Sequence, residues 1–600
     1  MLQLSLSTPR RVQVGKDTQP PGTFLDWLPN APISTFTNTS EQLAEALEQD
    51  NNQTINAEKR FSLLESAHPY AVDVCDLLKN RRKQAGPVFS QKHSDIADSQ
   101  NRLLHAMANG YKSVIMDAQR LTASGMIFKK MPEALFRATQ YLAAIVLNSY
   151  ANYRPCPDFA WKEIHQIFVT ATATEISDKK IQNTTTETKS SKSTIANFYR
   201  EILILAISNP YQLMPSEAET LYKMAGQWLN DCKLVSIESQ TTIKSAHVIE
   251  NGTTQPPRFI TKTGEQIANG YQIDLTNMAS IVKDEIRSIE IEHRRQATNR
   301  PLPFNQRIRR DLLVRLSHAW AGRRERKHPR KDATGVVFVS IGYNSCHFYI
   351  NNEKPFEPEL EELKIHRIDF GKKGSGLSLI AKEQRVWSMN ESESSIKSGL
   401  SESRQSNFDQ DSVSKDAWQQ IYATKTTNRI VTQNFHVDPG SVINSSAGGI
   451  ALSLDKSVAT DAKVGDLVVF HSNKDSETPT WNIGSISWTY IDKTIDIGIK
   501  GISSQASAVG CRAVEGTGMG SEYLRCFMTQ TRSSAPKLIT PAAIYDIHTL
   551  LAINLGTRLI YARILKLIDV TQSYSMFQIK PETIPENEIL KINKLRGLQN

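Results

Sequence analysis

At 600 residues, 39% hydrophobic and 22% charged, the chain has a globular composition and length for roughly three to four folded units. Lys and Arg outnumber Asp and Glu 71 to 62, a net charge of +9, and the surplus is concentrated between Arg294 and Lys331. There is no apolar run of about eighteen residues, no basic start leading into an apolar stretch and no C-x-x-C among the six cysteines, which predicts a cytoplasmic chain without a spanning helix, secretory leader, zinc framework or disulfide framework.

Residues 1–40 read as an extended, Pro-containing lead that includes TFLDWLPNAPI. From 41 to 232 apolar residues return every three or four positions, as in Phe61, Leu64 and Ala67 or Ala134, Leu135, Ala138, Leu142 and Ile145, and this spacing predicts helix after helix. Pro132 and Pro215 are placed to start helices, and the Thr- and Lys-rich stretch 177–193 reads as a loop. Residues 233–320 read as a mixed connecting region. It holds the short β-like pieces KLVSIES, AHVIE and RFITKT and a helix near Met278 to Arg287. A second helix, IRRDLLVRLSHAW, sets Ile308, Leu312, Leu313 and Leu316 in an apolar stripe with Arg309, Arg310 and Arg315 outside it, so its apolar side is expected to dock.

Residues 321–505 change character. GVVFVSIG, VINSSAGGIALSL, GDLVVFHS, WNIGSISWTY and TIDIGIKGIS are short strand candidates separated by turn residues, a pattern that favours a small closed barrel. Residues 351–430 interrupt it as a long insertion, part of it rich in Ser and charge and poor in core formers, and predicted to be disordered. Residues 506–600 form a β-rich C-terminal extension, either a second β-unit or a continuation of the barrel, with a helix expected in PAAIYDIHTLLAINL. The fold class is therefore α+β multidomain: a helical N-terminal region followed by a small β-barrel with a long disordered insertion.

Two stretches carry chemistry. VINSSAGGIALSL breaks a strand with Asn, Ser and Gly, and taken alone it reads as a hairpin or bulge. Just ahead of the first barrel strand, GRRERKHPRKD places Arg326 and Arg330 as R-x-x-x-R, with Arg323 and Arg324 before them; alone this is a solvated basic run or a nucleic-acid patch. Their order is more telling: an Arg-rich linker, one strand, then a strand with N-x-S-x-x-G at Asn444, Ser446 and Gly449, then VGDLVVF and a Trp-containing strand. This arrangement resembles the PilZ domain, a small β-barrel that binds the bacterial second messenger cyclic di-GMP. The resemblance covers roughly 320–505 and implies that Arg326 and Arg330, with Asn444, Ser446 and Gly449, hold the dinucleotide, Arg323 and Arg324 being further candidates. The departure from the pattern is the insertion, which puts more than a hundred residues between Arg330 and Asn444.

The residue types suit that ligand. Arg can fork onto guanine O6 and N7, stack on a base or bind a phosphate, whereas Lys supplies charge alone. Pro329 restricts the residue before it and discourages helix in the linker. Asn444 and Ser446, two apart on a strand, point to the same face, and Gly449 would let the ligand or linker approach the backbone. No catalytic residue, metal or cofactor beyond the ligand is expected.

The helical N-terminal region resembles that of large proteins with a C-terminal PilZ domain, some linked to type IV pili and surface attachment. This implies an effector that couples messenger binding to a conformational change and a protein partner, of the type IV pilus machinery on that resemblance, with recruitment to a cell pole or the inner membrane. Three other classes are open to this sequence. A ligand-free scaffold with a degenerate barrel is one. A nucleic-acid binder would rest on Arg307, Arg309, Arg310, Arg315 and the 323–331 cluster, although no DNA or RNA is expected. An enzyme acting on the messenger would need more than the Glu-Ala-Leu tripeptides at 45–47 and 133–135, which arise by chance in helix-forming text, and there is no GGDEF. His318, His328, His347, His436 and His471 show no ligand spacing, and Trp481 and Trp488 read as core or barrel-rim residues rather than base-stacking platforms.

Overall fold

A computed structural model describes residues 4–13, 20–30, 36–84, 90–120, 126–183, 191–295, 303–321, 329–365, 435–457, 462–472, 479–518, 522–529 and 535–595. The N-terminal region is built from α1 (Phe36–Asn51), α2 (Ala57–Gln84), α3 (Gln91–Arg120), α4 (Met126–Ala151), α5 (Asp158–Ala173), α6 (Ile195–Ile207) and α7 (Glu217–Ala225). Its core follows the sequence spacing: Leu103, Leu104 and Met107 of α3 and Ala134, Leu135, Ala138 and Leu142 of α4 are all buried in one cluster. Pro132 lies inside α4, which starts six residues earlier at Met126. So near the start a proline costs the helix one internal bond, and the buried Ile127 and Met131 hold that extra turn in place. Both Glu-Ala-Leu tripeptides are ordinary helix: Leu47 and Leu135 are buried, Glu45 is exposed and Glu133 pairs with Lys130 at 3.0 Å.

The lead is not simply extended. Leu4 and Leu6 are buried in the helical core, and the Ser7 amide donates to Glu163 Oε1 at 2.9 Å. Glu163 Oε2 in turn accepts from Lys112 Nζ at 2.9 Å, with the two side chains 2% and 0% exposed.

A four-stranded antiparallel sheet of Lys233–Ile237, Gly270–Asp274, Ala246–Glu250 and Arg258–Ile260, neighbours in that order, leads to α8 (Thr276–Arg295) and α9 (Phe304–Trp320). As its pattern predicts, α9 buries Leu312, Leu313 and Leu316 in the helical core, and the Trp320 indole donates to Ser208 Oγ at 2.9 Å. Its arginines have carboxylate partners. Arg309 meets Glu285 at 2.6 Å, Arg310 meets Glu290, Arg315 bridges Glu217 at 2.6 Å and Asp311 at 2.7 Å, and buried Arg307 reaches Asp546. These are not a free cationic surface for nucleic-acid phosphate.

The first barrel comprises β1 (Lys331–Asp332), β2 (Val336–Ile341), β3 (Asp438–Ser446), β4 (Gly449–Leu454), β5 (Leu467–His471), β6 (Asn482–Ile491) and β7 (Ile495–Ser503). It closes in the order β2-β5-β6-β7-β4-β3 and back to β2, with β1 paired to the far end of β3. Val337, Val339, Leu452, Leu454, Val468, Ile486, Ile497 and Ile499 fill its interior.

Residues 506 onward make a second closed barrel: β8 (Ala506–Glu515), β9 (Leu524–Thr529), β10 (Lys537–Pro541), β11 (Leu550–Asn554), β12 (Leu559–Val570) and β13 (Tyr574–Glu582), followed by helix α12 (Glu586–Leu595). The helix expected in PAAIYDIHTLLAINL is overturned. Pro541 ends β10, Ala543 and His548 take left-handed φ of 64° and 69°, and Leu550–Asn554 is β11, buried throughout. A short apolar run buried on both faces has the same text as a buried helix.

The chain also differs from expectation just before the insertion and at its start. Helix α10 (Tyr343–Ile350) wedges between the barrels, where Cys346 and Tyr349 share a core with Leu467, Val469, Phe527 and Ile539. Helix α11 (Pro358–Ile365) lies on the second barrel, with Asn554 Nδ2 donating to the Pro358 carbonyl at 2.9 Å and Arg512 pairing with Glu362 at 3.0 Å. Residues 351–365 are thus a packed arm; 366–434 lie outside the described residues. Among the described residues no helix is long and apolar enough to cross a membrane.

Candidate functional site

The stretch VINSSAGGIALSL is a hairpin. β3 and β4 pair antiparallel around a turn at Ala447 and Gly448, with Ser446 opposite Gly449. Within β3 the register shifts between Val442 and Asn444, so Val442 stands opposite Leu452 and Asn444 opposite Ala451. Without that bulge Asn444 would fall opposite Ile450 and face the core. With it, Asn444 and Ser446 both stand on the barrel's outer face, and Ile443 is the extra residue, 39% exposed.

A second bulge does the same for β6. Ile486 pairs with Ile499 but Trp488 pairs with Gly498, leaving Ser487 over, its hydroxyl donating to the Gly498 carbonyl at 2.9 Å. Trp488 is thereby turned outward, half-buried, and its indole lies over Gly498 so closely that a Cβ there would run into the ring.

Two rows of residues cross this face. One runs Trp488, Gly498, Ala451, Asn444, Asp332 across β6, β7, β4, β3 and β1; the next runs Ser485, Lys500, Gly449, Ser446. The centre is a floor of small residues, walled by an indole on one side. The other side is the linker: Asp332 pairs with Asn444 and Lys331 with Ser445, so exposed Arg330 comes next in line toward Ser446. The two motif halves, far apart in sequence, meet here because β1 is the end of the linker itself. Arg323, Arg324 and Arg326, with His328, lie outside the described residues.

Gly449 has a structural reason of its own. A Cβ at 449 would strike the carbonyl oxygen of Ile499 on β7, so the glycine is needed for the approach of two strands. Trp481 packs in the junction between barrels, its ring 4.4 Å from that of His471.

The platform's edge abuts the helical region. Tyr490, two residues past Trp488, meets the Tyr211 ring at 5.1 Å, and the Ile491 amide donates to the Tyr153 carbonyl at 2.8 Å. Burial pushes the Tyr490 hydroxyl up, with Asp492 and Asp496 adding to it. Sequence reasoning read Trp488 as a core or barrel-rim residue and did not single out Lys500. A signal was present: Ile486 and Ile491 both face the core although an odd number of residues apart, which a regular strand cannot give.

A closed six-stranded barrel, reached through an arginine linker whose end pairs beside an outward N-x-S-x-x-G hairpin, is a PilZ-type domain. Family models match most of the chain in order: the N-terminal domain of the cyclic-di-GMP receptor FimW over residues 22–239, its middle PilZ domain over 247–508 and its C-terminal β-barrel domain over 509–581. The chain belongs to this family of PilZ cyclic-di-GMP receptors. A curated relative, the cyclic-di-GMP receptor FimW of Pseudomonas aeruginosa, is 22% identical over 573 residues, covering 92% of this chain and 89% of the relative. No solved structure matches the chain.

Proposed function

We propose that this chain is a cyclic di-GMP effector that binds the dinucleotide on the outer face of its first barrel. The observation that carries the reading is the register of β1 on β3, which delivers Arg330 to the Ser446 end of the hairpin. Arg326 and Arg330, with Arg323 and Arg324 behind them, would fork onto guanine or phosphate; Asn444 and Ser446 would bond a base edge or phosphate from the strand. A base would stack on Trp488 at the edge of the small-residue floor.

Calorimetric titration tests this. Wild type should take up cyclic di-GMP and reject cyclic di-AMP, since adenine lacks O6. Arg326→Ala/Arg330→Ala should abolish the heat. Absence of binding by folded wild type would leave the scaffold reading in its place. Trp488→Ala should weaken binding by about 1–3 kcal/mol, the worth of one base stacked on an aromatic ring. Its thermal midpoint should stay near wild type, because the indole stands outside the barrel core.

The output would be conformational. The linker follows α9, which is tied to the helical region through Arg315 and Glu217 and to the second barrel through Arg307 and Asp546. A ligand that favours the linker lying on the barrel would shift the population of domain arrangements and change what the helical region presents to a protein partner. The resemblance to pilus-associated proteins points to the type IV pilus machinery as that partner, met in the cytoplasm at a pole or the inner membrane. Scattering profiles identical with and without ligand would rule out the switch. Nothing in the site calls for catalysis.

A further inference from the structure

We propose that Lys500 is a phosphate-binding residue of the platform, held in the ligand-free protein by Asp569 of the second barrel, so that nucleotide and second barrel compete for one ammonium group. The inference rests on the cyclic di-GMP reading and adds a residue and a route of communication to it.

Lys500 stands on β7 opposite Gly449 and Ser485, in the row that continues through Ser446 toward Arg330. Its neighbours Ile499 and Ile497 alternate into the core, so Lys500, like Gly498, faces outward with the floor. Three strand spacings separate Lys500 from the Arg330 position, about 14 Å. Along the row between them stand Gly449, which has no side chain, and Ser446, which has a short one. A ligand with two phosphates needs a cation toward each end; the linker supplies one end and Lys500 the other.

The opposite end of the lysine is what gives the residue a second meaning. Its Nζ lies 3.9 Å from Asp569 Oδ2, with the Lys500 side chain 66% exposed and that of Asp569 28% exposed. A pair this open and this long is weak. Asp569 itself is fixed: Oδ2 accepts from the Tyr574 hydroxyl at 3.3 Å and Oδ1 from the Val570 amide at 3.0 Å. It sits where β12 turns into β13, and that turn is seated between the other two units. Ser573 donates to Asp466 of the first barrel, and Gln572 Nε2 donates to the Pro215 carbonyl of the helical region at 3.2 Å. A phosphate that draws Lys500 inward therefore loosens a contact at the point where all three units meet, and by linkage anything that strengthens that contact weakens the ligand.

The test is calorimetry of cyclic di-GMP on the full chain, each variant first shown to melt like wild type. Lys500→Ala should raise Kd about tenfold, the usual worth of one charge-assisted phosphate contact, and Lys500→Arg should restore most of it. Asp569→Asn keeps the Val570 amide contact on its carbonyl oxygen, turns the Tyr574 contact round so that its amide N–H donates to the hydroxyl oxygen, releases the lysine, and should lower Kd about threefold. In the Lys500→Ala background Asp569→Asn should have no further effect, a non-additivity that a merely structural aspartate would not produce. If Arg330→Ala removes binding while Lys500→Ala and Asp569→Asn both stay within twofold of wild type, the receptor reading stands and the role of Lys500 is overturned. If wild type does not bind, both fall together.

Discussion

Glu163→Ala will destabilise the helical region by about 3–5 kcal/mol, because it leaves the Lys112 ammonium charged and unpaired in a core where that side chain has no solvent exposure. Burial already pushes the Lys112 amine down, and Glu163 is the group that holds it up. The same carboxylate accepts from the Ser7 amide and hydroxyl, so its loss also frees the segment that seats Leu4 and Leu6. Urea unfolding followed by circular dichroism reads the first effect, and early proteolysis near the N-terminus reads the second. Replacing the pair together, Lys112→Met with Glu163→Leu, should recover most of the loss and leave about 1–2 kcal/mol for the orphaned Ser7 groups. A midpoint for Glu163→Ala within about 1 kcal/mol of wild type would mean that the ammonium finds water or another acceptor.

That pair is invisible in the sequence, and the reason is general to this chain. Periodicity finds surfaces that must be buried: the stripes of α3, α4 and α9 were legible because each helix buries one face and exposes the other. It does not find elements buried all round. β11 is apolar on both faces and reads equally as helix, and α10, YNSCHFYI, is wedged between two barrels that sequence alone does not place together. The lead reads as extended because its apolar residues, Leu4, Leu6, Phe24 and Leu28, gain meaning only from the core formed by helices farther along the chain.

The site divides in the same way. Residue types and their order led to the linker and the hairpin, since Arg, Asn and Ser bear chemistry wherever they stand. What set them on one face was geometry: two bulges that turn Asn444 and Trp488 outward, and two residues of β1 that bring the linker alongside β3. Bulges shift register by one residue and leave composition unchanged, so Trp488 read as rim and Lys500 drew no attention. Gly449 shows the converse: the motif singles out the residue for ligand approach, and the structure adds a second cause, the closeness of β7.

The two glycines of the platform separate those causes experimentally. At 449 the obstacle to a Cβ is the Ile499 carbonyl, which belongs to the ladder joining β4 to β7 and cannot move without parting the strands. At 498 the obstacle is the Trp488 indole, a side chain that can swing away. Gly449→Ala should therefore destabilise the first barrel by about 3 kcal/mol, at the upper end of overpacking costs, and abolish cyclic di-GMP binding as a consequence of lost structure. Gly498→Ala should leave the melting temperature close to wild type and weaken binding to the same extent as Trp488→Ala, because both remove the stacking wall and nothing else. Differential scanning calorimetry alongside ligand titration gives both readings on each variant. Should Gly449→Ala melt like wild type yet fail to bind, the ligand itself must come within reach of that Cα, and the glycine would be a contact residue after all.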